Sequence, residues 1–161
     1  MISNKIKNGL NGIVKIPGDK SISHRSIIIP AISNGICEIS NILKSDDVNH
    51  TLNAFQNMGV KIIDEANKII IHGKGLNSLK KPKKDIYLGN SGTSARLLIG
   101  LLASQNFSSR LIGDESLSKR PMKRISDPLD TMKARIETYD GKLPIKINGT
   151  ELRPANVNIK I

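Results

Sequence analysis

Ile13 to Ile16 alternates in the manner of a strand and runs into the turn Pro17-Gly18-Asp19. The spacing then predicts a helix from about Ser21 to Ser33, a strand near Ile36–Ile42 and a second helix after Ser45. Ser45 is a good N-cap, and Asp46 and Asp47 follow it where the helix dipole favours anions. Val48, Leu52, Phe55 and Met58 keep helical spacing, and Gly59 suits the position just past the helix end. Strands at Val60–Ile63 and Lys68–Ile71 complete the series.

The same order then recurs. A strand at Asp85–Leu88 leads to a helix at about Thr93–Ser104, a strand at Arg110–Ile112 and a helix opening near Pro121, a favourable first helical residue. Strands near Arg135–Tyr139 and Pro144–Ile147 follow, and Lys133 stands where the first copy has Gly59. Shifting the chain by 71 residues lays Gly18 on Gly89, Arg25 on Arg96 and Ser45 on Ser116. Each copy reads βαβαββ, about 13–75 and 85–150, and a third copy begins at Asn158–Ile161. The stretches SIIIPAI and RLLIGLLA are apolar nearly all round, which predicts buried helices with sheets outside. Pro30 removes one backbone hydrogen bond from the first and predicts a kink. The expected class is therefore α/β, in the α+β sense of segregated helices and sheets.

Composition narrows what such a fold can do. At 161 residues with 38% hydrophobic content, the chain can bury an ordinary core. No stretch reaches the roughly 20 apolar residues of a membrane span. The opening MISNKIKNGLNG has no apolar region of the kind a secretory signal needs, so a cytoplasmic protein is expected. The single Cys37 forms no internal disulfide and no metal site, and its apolar neighbours predict a small core residue. A net charge of +11 points to anionic partners, either nucleic acid or small anions. Two Phe, two Tyr and no Trp leave few rings for base stacking, which disfavours nucleic acid. The one lysine cluster, at Lys80, Lys81, Lys83 and Lys84 around Pro82, reads as a solvated loop.

Three basic turns carry the chemistry. In GDKSISHR, a turn opening a helix leaves backbone N–H groups free at the positive end of the helix dipole. Lys20 stands at that mouth, Ser21 offers a hydroxyl, and Arg25 lies one turn on along the same face. A carboxylate or phosphate would suit it, although an ordinary capped helix with exposed charges reads equally well. His24 receives no role. LGNSGTSAR repeats the geometry, with Gly89 and Gly92 permitting close backbone approach, Asn90 and Thr93 as donors and Arg96 one turn along. It is not a P-loop, since no Gly-Lys-Ser/Thr follows. In GDESLSKRPMKR, Arg120 precedes the expected helix start and could face an anion, or pair with Asp114 or Glu115.

PGDKSISHR, LGNSGTSAR and GDESLSKRPM, in that order and together with the Asp46–Val48 stretch, closely resemble the 5-enolpyruvylshikimate-3-phosphate synthase family over essentially the whole chain. The related transferase acting on UDP-N-acetylglucosamine carries Lys-Asn in its first motif, whereas Lys20-Ser21 followed by Arg25 matches the shikimate enzyme. The resemblance implies the enolpyruvyl transferase fold and transfer of enolpyruvyl from phosphoenolpyruvate to the 5-hydroxyl of shikimate 3-phosphate. Phosphate leaves through a tetrahedral intermediate, without metal or organic cofactor. It also implies a monomer in the shikimate route to aromatic amino acids, with no nucleic-acid or membrane partner. Carried over by motif, Lys20, Ser21 and Arg25 would hold shikimate 3-phosphate. Lys20, Gly92, Arg120 and Asn90 would hold phosphoenolpyruvate, and Gly92 implies sensitivity to glyphosate.

Members of that family have two lobes of three βαβαββ units each, so the resemblance implies an incomplete two-lobed fold here. Residues 1–17 would contribute the opening strand of one lobe, and 18–161 most of the other. The carboxylates expected to move protons lie outside this portion, so no catalytic residue is assigned and the chain alone is expected to be inactive. The other readings are another enolpyruvyl transferase, a basic nucleic-acid binder, or a non-catalytic fragment that binds shikimate 3-phosphate weakly.

Overall fold

The computed structural model describes residues 11–157. The first helix, α1, runs Lys20–Ile32 and is followed by β1, Asn34–Ser40. Then come α2 (Asp46–Asn57), β2 (Lys61–Asp64) and β3 (Lys68–Lys74). After a 3-10 turn at Leu76–Ser78, the second series is β4 (Ile86–Tyr87), α3 (Gly92–Ala103) and β5 (Ser108–Ile112). It continues with α4 (Glu115–Ser118), α5 (Lys123–Thr131), β6 (Arg135–Tyr139) and β7 (Lys142–Asn148).

Two sheets form, in the orders β1-β3-β2 and β4-β5-β7-β6. Take β4 away and the second has the topology of the first, each strand antiparallel to its neighbour. β4 adds a parallel pair through Ile86–Leu111 and Tyr87–Ile112. In the first series its counterpart would be Ile13–Ile16, but that stretch is not a strand. It pairs with no described strand, and Ile13 and Ile16 are 97% and 76% exposed. Without a partner to take its N–H and C=O groups, an alternating stretch has no reason to order as a strand. The onset of a third copy at Asn158–Ile161 falls outside the described residues.

Local chemistry explains the element ends. Asp19, Ser45, Ser91 and Asp114 each accept a hydrogen bond from a first-turn N–H of α1, α2, α3 and α4. Gly59 leaves α2 at φ +86°, and at the matching place Lys133 leaves α5 at φ +65°. A lysine can hold this conformation, at some cost glycine avoids. The helix expected from Pro121 is divided: α4 lies before it, and α5 begins two residues after it with Met122 as a cap lacking a side-chain bond. Asp114, which makes α4 possible, is the signal the sequence reading passed over. Pro30 falls in the last turn of α1, so its missing N–H costs little of the ladder.

Ile27, Ala31, Phe55, Met58, Leu98, Ile99, Leu102, Leu111, Ile145 and Ile147 are fully buried between the helices and the inner sheet faces. The helices are not enclosed all round, as the sequence suggested. α1 leaves Ile22 and Ile29 more than half exposed, and α3 leaves Leu97 at 43%. Cys37 is likewise half-buried on β1, not a core residue. No described helix is long and apolar enough to cross a membrane.

Candidate functional site

α1 begins at Lys20, which places its ammonium against Asp47 near the start of α2. The carboxylate side is nearly buried while the lysine is half exposed, so Lys20 keeps a face toward solvent. Asp19 Oδ1 accepts the Ile22 N–H at 2.7 Å and the Asp19 carbonyl accepts Ser23 N–H at 2.9 Å. The Lys20 and Ser21 N–H groups have no acceptor among the described residues, and Ser21 and Arg25 are exposed. Arg25 makes no ion pair among those residues either. The Lys20–Arg25 turn thus presents a half-exposed ammonium and an exposed guanidinium, with the Ile22 N–H already taken by Asp19.

The second turn is tighter. Ser91 Oγ caps Ser94 N–H at 3.3 Å, and Asn90 is exposed just before it. Gly89 and Gly92 serve different ends. A Cβ on Gly89 would meet the His50 ring at 2.4 Å, and its φ is +55°, so this glycine answers to its own backbone and to His50. A Cβ on Gly92 would instead meet Arg96 Nη1 at 2.8 Å and Arg120 Nη1 at 3.2 Å. Close approach at Gly92, but not at Gly89, is approach toward cations.

Arg120 reaches that place from the turn between α4 and α5. Its Nη2 lies 3.3 Å from Ser116 Oγ, and its backbone N–H is held by the Leu117 carbonyl at 3.0 Å. The carboxylates it could have paired with are taken: Glu115 holds Lys119 at 2.5 Å, and Asp114 caps α4. Arg96 donates to the Pro121 carbonyl at 3.5 Å, leaving most of its guanidinium donors unused among the described residues. Two guanidinium groups stand over one glycine, and the Gly92 and Thr93 N–H groups lack acceptors among the described residues, an arrangement chemically suited to an anion. Arg96 belongs to this group: the sequence placed it one turn after the glycine-rich turn, as Arg25 stands after the first, but the residues carried over by motif for phosphoenolpyruvate left it out.

Behind the two mouths lies a buried polar cluster. His24 Nδ1 is 2.9 Å from Thr51 Oγ1 and 3.3 Å from Ser94 Oγ. Thr51 Oγ1 and Ser94 Oγ are 2.7 Å apart, and Ser94 Oγ is 2.7 Å from Ser91 Oγ. His24 is fully buried, and its pKa lies below the ordinary value because burial penalises the charged ring. Asp47 opposes that shift and Lys20 adds to it.

A family model described as EPSP synthase (3-phosphoshikimate 1-carboxyvinyltransferase) matches residues 4–161. The 3-phosphoshikimate 1-carboxyvinyltransferase of Ruthia magnifica subsp. Calyptogena magnifica is 56% identical over 145 residues, which are 90% of this chain and 33% of the relative. That of Vesicomyosocius okutanii subsp. Calyptogena okutanii is 54% identical over 155 residues, 96% of this chain and 36% of the relative. A solved structure of EPSP synthase from Acinetobacter baumannii superposes with a TM-score of 0.83 at 48% identity, covering 86% of this chain and 32% of that one. The chain thus spans about a third of the length of the relatives it matches. With a family model matched from residue 4 to residue 161, the chain belongs to the EPSP synthase family.

Proposed function

We propose that this chain supplies the anion-binding turns of a 3-phosphoshikimate 1-carboxyvinyltransferase. The observation that carries the reading is the convergence of Arg96 and Arg120 on the place where Gly92 has no side chain. Lys20, Gly92, Asn90 and Arg120 hold phosphoenolpyruvate, with Arg96 beside them. Lys20, Ser21 and Arg25 hold shikimate 3-phosphate. Both substrates carry several negative charges, and a receptor built from fixed guanidinium and N–H donors can bind such groups without reorganising.

In the reaction, the 5-hydroxyl of shikimate 3-phosphate gives up its proton as its oxygen bonds to C2 of phosphoenolpyruvate, while C3 gains a proton. The tetrahedral product then loses phosphate by C–O cleavage and a proton from C3, which restores the enol double bond on the new ether. Positive groups near Gly92 and Lys20 hold the carboxylate and phosphate charges in place through both steps. Among the described residues, the two carboxylates nearest the Lys20 mouth are engaged: Asp19 caps α1, and Asp47 is bound to Lys20. This supports a division of labour in which residues 18–161 form most of one lobe, residues 1–17 pair with another, and the acid–base groups lie elsewhere in a longer cytoplasmic enzyme.

The isolated chain is therefore expected to bind phosphoenolpyruvate and not to turn over. Calorimetric titration and a phosphate-release assay test the two halves. Phosphate release from both substrates by the isolated chain would overturn the division of labour, and absence of any phosphoenolpyruvate binding would overturn the site.

A further inference from the structure

Every contact of Thr51 Oγ1 is used when its single hydroxyl proton goes to the Asp47 carbonyl, 3.2 Å away, which can only accept. Its remaining contacts, His24 Nδ1 at 2.9 Å and Ser94 Oγ at 2.7 Å, must then donate to it. Ser94 having spent its proton on Thr51, Ser91 donates to Ser94 across 2.7 Å. Ser91 still accepts the Ser94 N–H, as the cap of α3. The chain of donation closes only if Nδ1 of His24 carries a proton, and full burial of the ring favours its neutral form.

That tautomer leaves Nε2 as a bare acceptor, and Nε2 is buried without a partner among the described residues. An unpaired buried acceptor is costly. An apolar side chain at position 24 would avoid the cost, but could not donate to Thr51. The ring sits one residue before Arg25 on α1, and the hydroxyl at the far end of the cluster is one residue before Gly92. The cluster therefore spans α1, α2 and α3 directly behind both mouths.

We propose that His24 is a positioning residue whose Nδ1–H, through Thr51 and Ser94, fixes the Ser91–Gly92 turn of α3 against the Lys20–Arg25 mouth of α1. It touches neither anion. It keeps the two receptors at a constant separation, which two substrates that react with each other require. The inference rests on the proposed function for its purpose, but not for its geometry.

Both parts can be tested on the 161-residue chain. Long-range proton–nitrogen NMR correlations of the wild-type protein near pH 7 should show His24 as the Nδ1–H tautomer. An Nε2–H or a charged ring would overturn the proposal whether or not any substrate binds. Among variants, His24→Asn puts an amide N–H near the place of Nδ1–H, whereas His24→Leu fills the site without a donor. Phosphoenolpyruvate affinity, followed at the Gly92 amide, should fall about tenfold in His24→Leu and stay within about twofold of wild type in His24→Asn. Equal loss in both, or no loss in His24→Leu, would count against positioning. Thr51→Val keeps His24 itself and should reproduce the loss, which covers the case in which His24→Leu does not fold. If the wild-type chain binds no phosphoenolpyruvate, the proposed function fails, and the tautomer together with the Gly92 amide shift in Thr51→Val still decides the geometry. An unmoved Gly92 amide there would refute it.

Discussion

Arg96 Nη1 stands 2.8 Å from where a Gly92 side chain would begin, and this contact forms one side of the proposed anion receptor. The receptor's other guanidinium, from Arg120, stands 3.2 Å from the same point. A methyl group there displaces the tips of two long side chains, not backbone.

Gly92→Ala should therefore fold nearly as well as the parent, with unfolding free energy changed by less than about 1 kcal/mol. Anion binding should suffer instead, because the cations are pushed from the pocket they form. The expected outcome is a phosphoenolpyruvate affinity lower by about tenfold, with glyphosate reduced at least as much. Paired urea unfolding and calorimetric titration check both. A large stability loss with unchanged affinity would show that Gly92 serves packing.

Gly89→Ala should do the reverse. Position 89 has φ +55°, and an added Cβ would meet the His50 ring at 2.4 Å. Strain and overpacking together should cost about 2–4 kcal/mol. Urea denaturation measures it, and a change below about 0.5 kcal/mol would contradict the structural role given to this glycine.

Arg25 is exposed and makes no ion pair among the described residues. Arg25→Gln should leave stability within about 0.5 kcal/mol while weakening shikimate 3-phosphate binding about tenfold. Thermal unfolding alongside titration separates the two effects.

His24 gives the stability a pH dependence of definite sign. Its folded pKa is lowered by burial below 6.5, so the unfolded chain takes up a proton first as the pH falls. The stability it contributes is fully present above pH 6.5 and is lost as the pH drops through the folded value. Of the charged neighbours, Asp47 favours the protonated ring and Lys20 opposes it. The urea midpoint should fall between pH 7 and pH 5, and should fall less in His24→Asn. Parallel curves for the two proteins would contradict this assignment.

Much of the fold was legible because its signals are local. Ser45 and Gly59 bracket α2 as their chemistry requires, and β6 has the bounds expected from Arg135 and Tyr139. The repeat was visible in Gly18, Gly89, Arg25 and Arg96, and the two sheets share one topology. What failed was what depends on distant partners. Ile13–Ile16 has the pattern of a strand but pairs with no strand among the described residues. The apolar faces of α1 and α3 promised burial, yet Ile29 and Leu97 find no cover among the described residues.

The candidate site divided the same way. Lys20, Arg25, Gly92 and Arg120 stood out because basic residues at turn mouths have a spacing of their own. That Gly89 answers to His50 and Gly92 to Arg120 could not be read from spacing, since both are contacts across the fold. His24 was silent for the same reason: its partners Thr51 and Ser94 are 27 and 70 residues away.

The most direct test is an amide-shift titration of the isolated chain with phosphoenolpyruvate at moderate salt. Saturable shifts should gather at Asn90, Gly92 and Thr93 and at the Arg96 and Arg120 side chains, and should vanish in Arg120→Gln. Shifts confined to the exposed lysines 80–84, or none at all, would contradict the claim that these turns form an anion receptor.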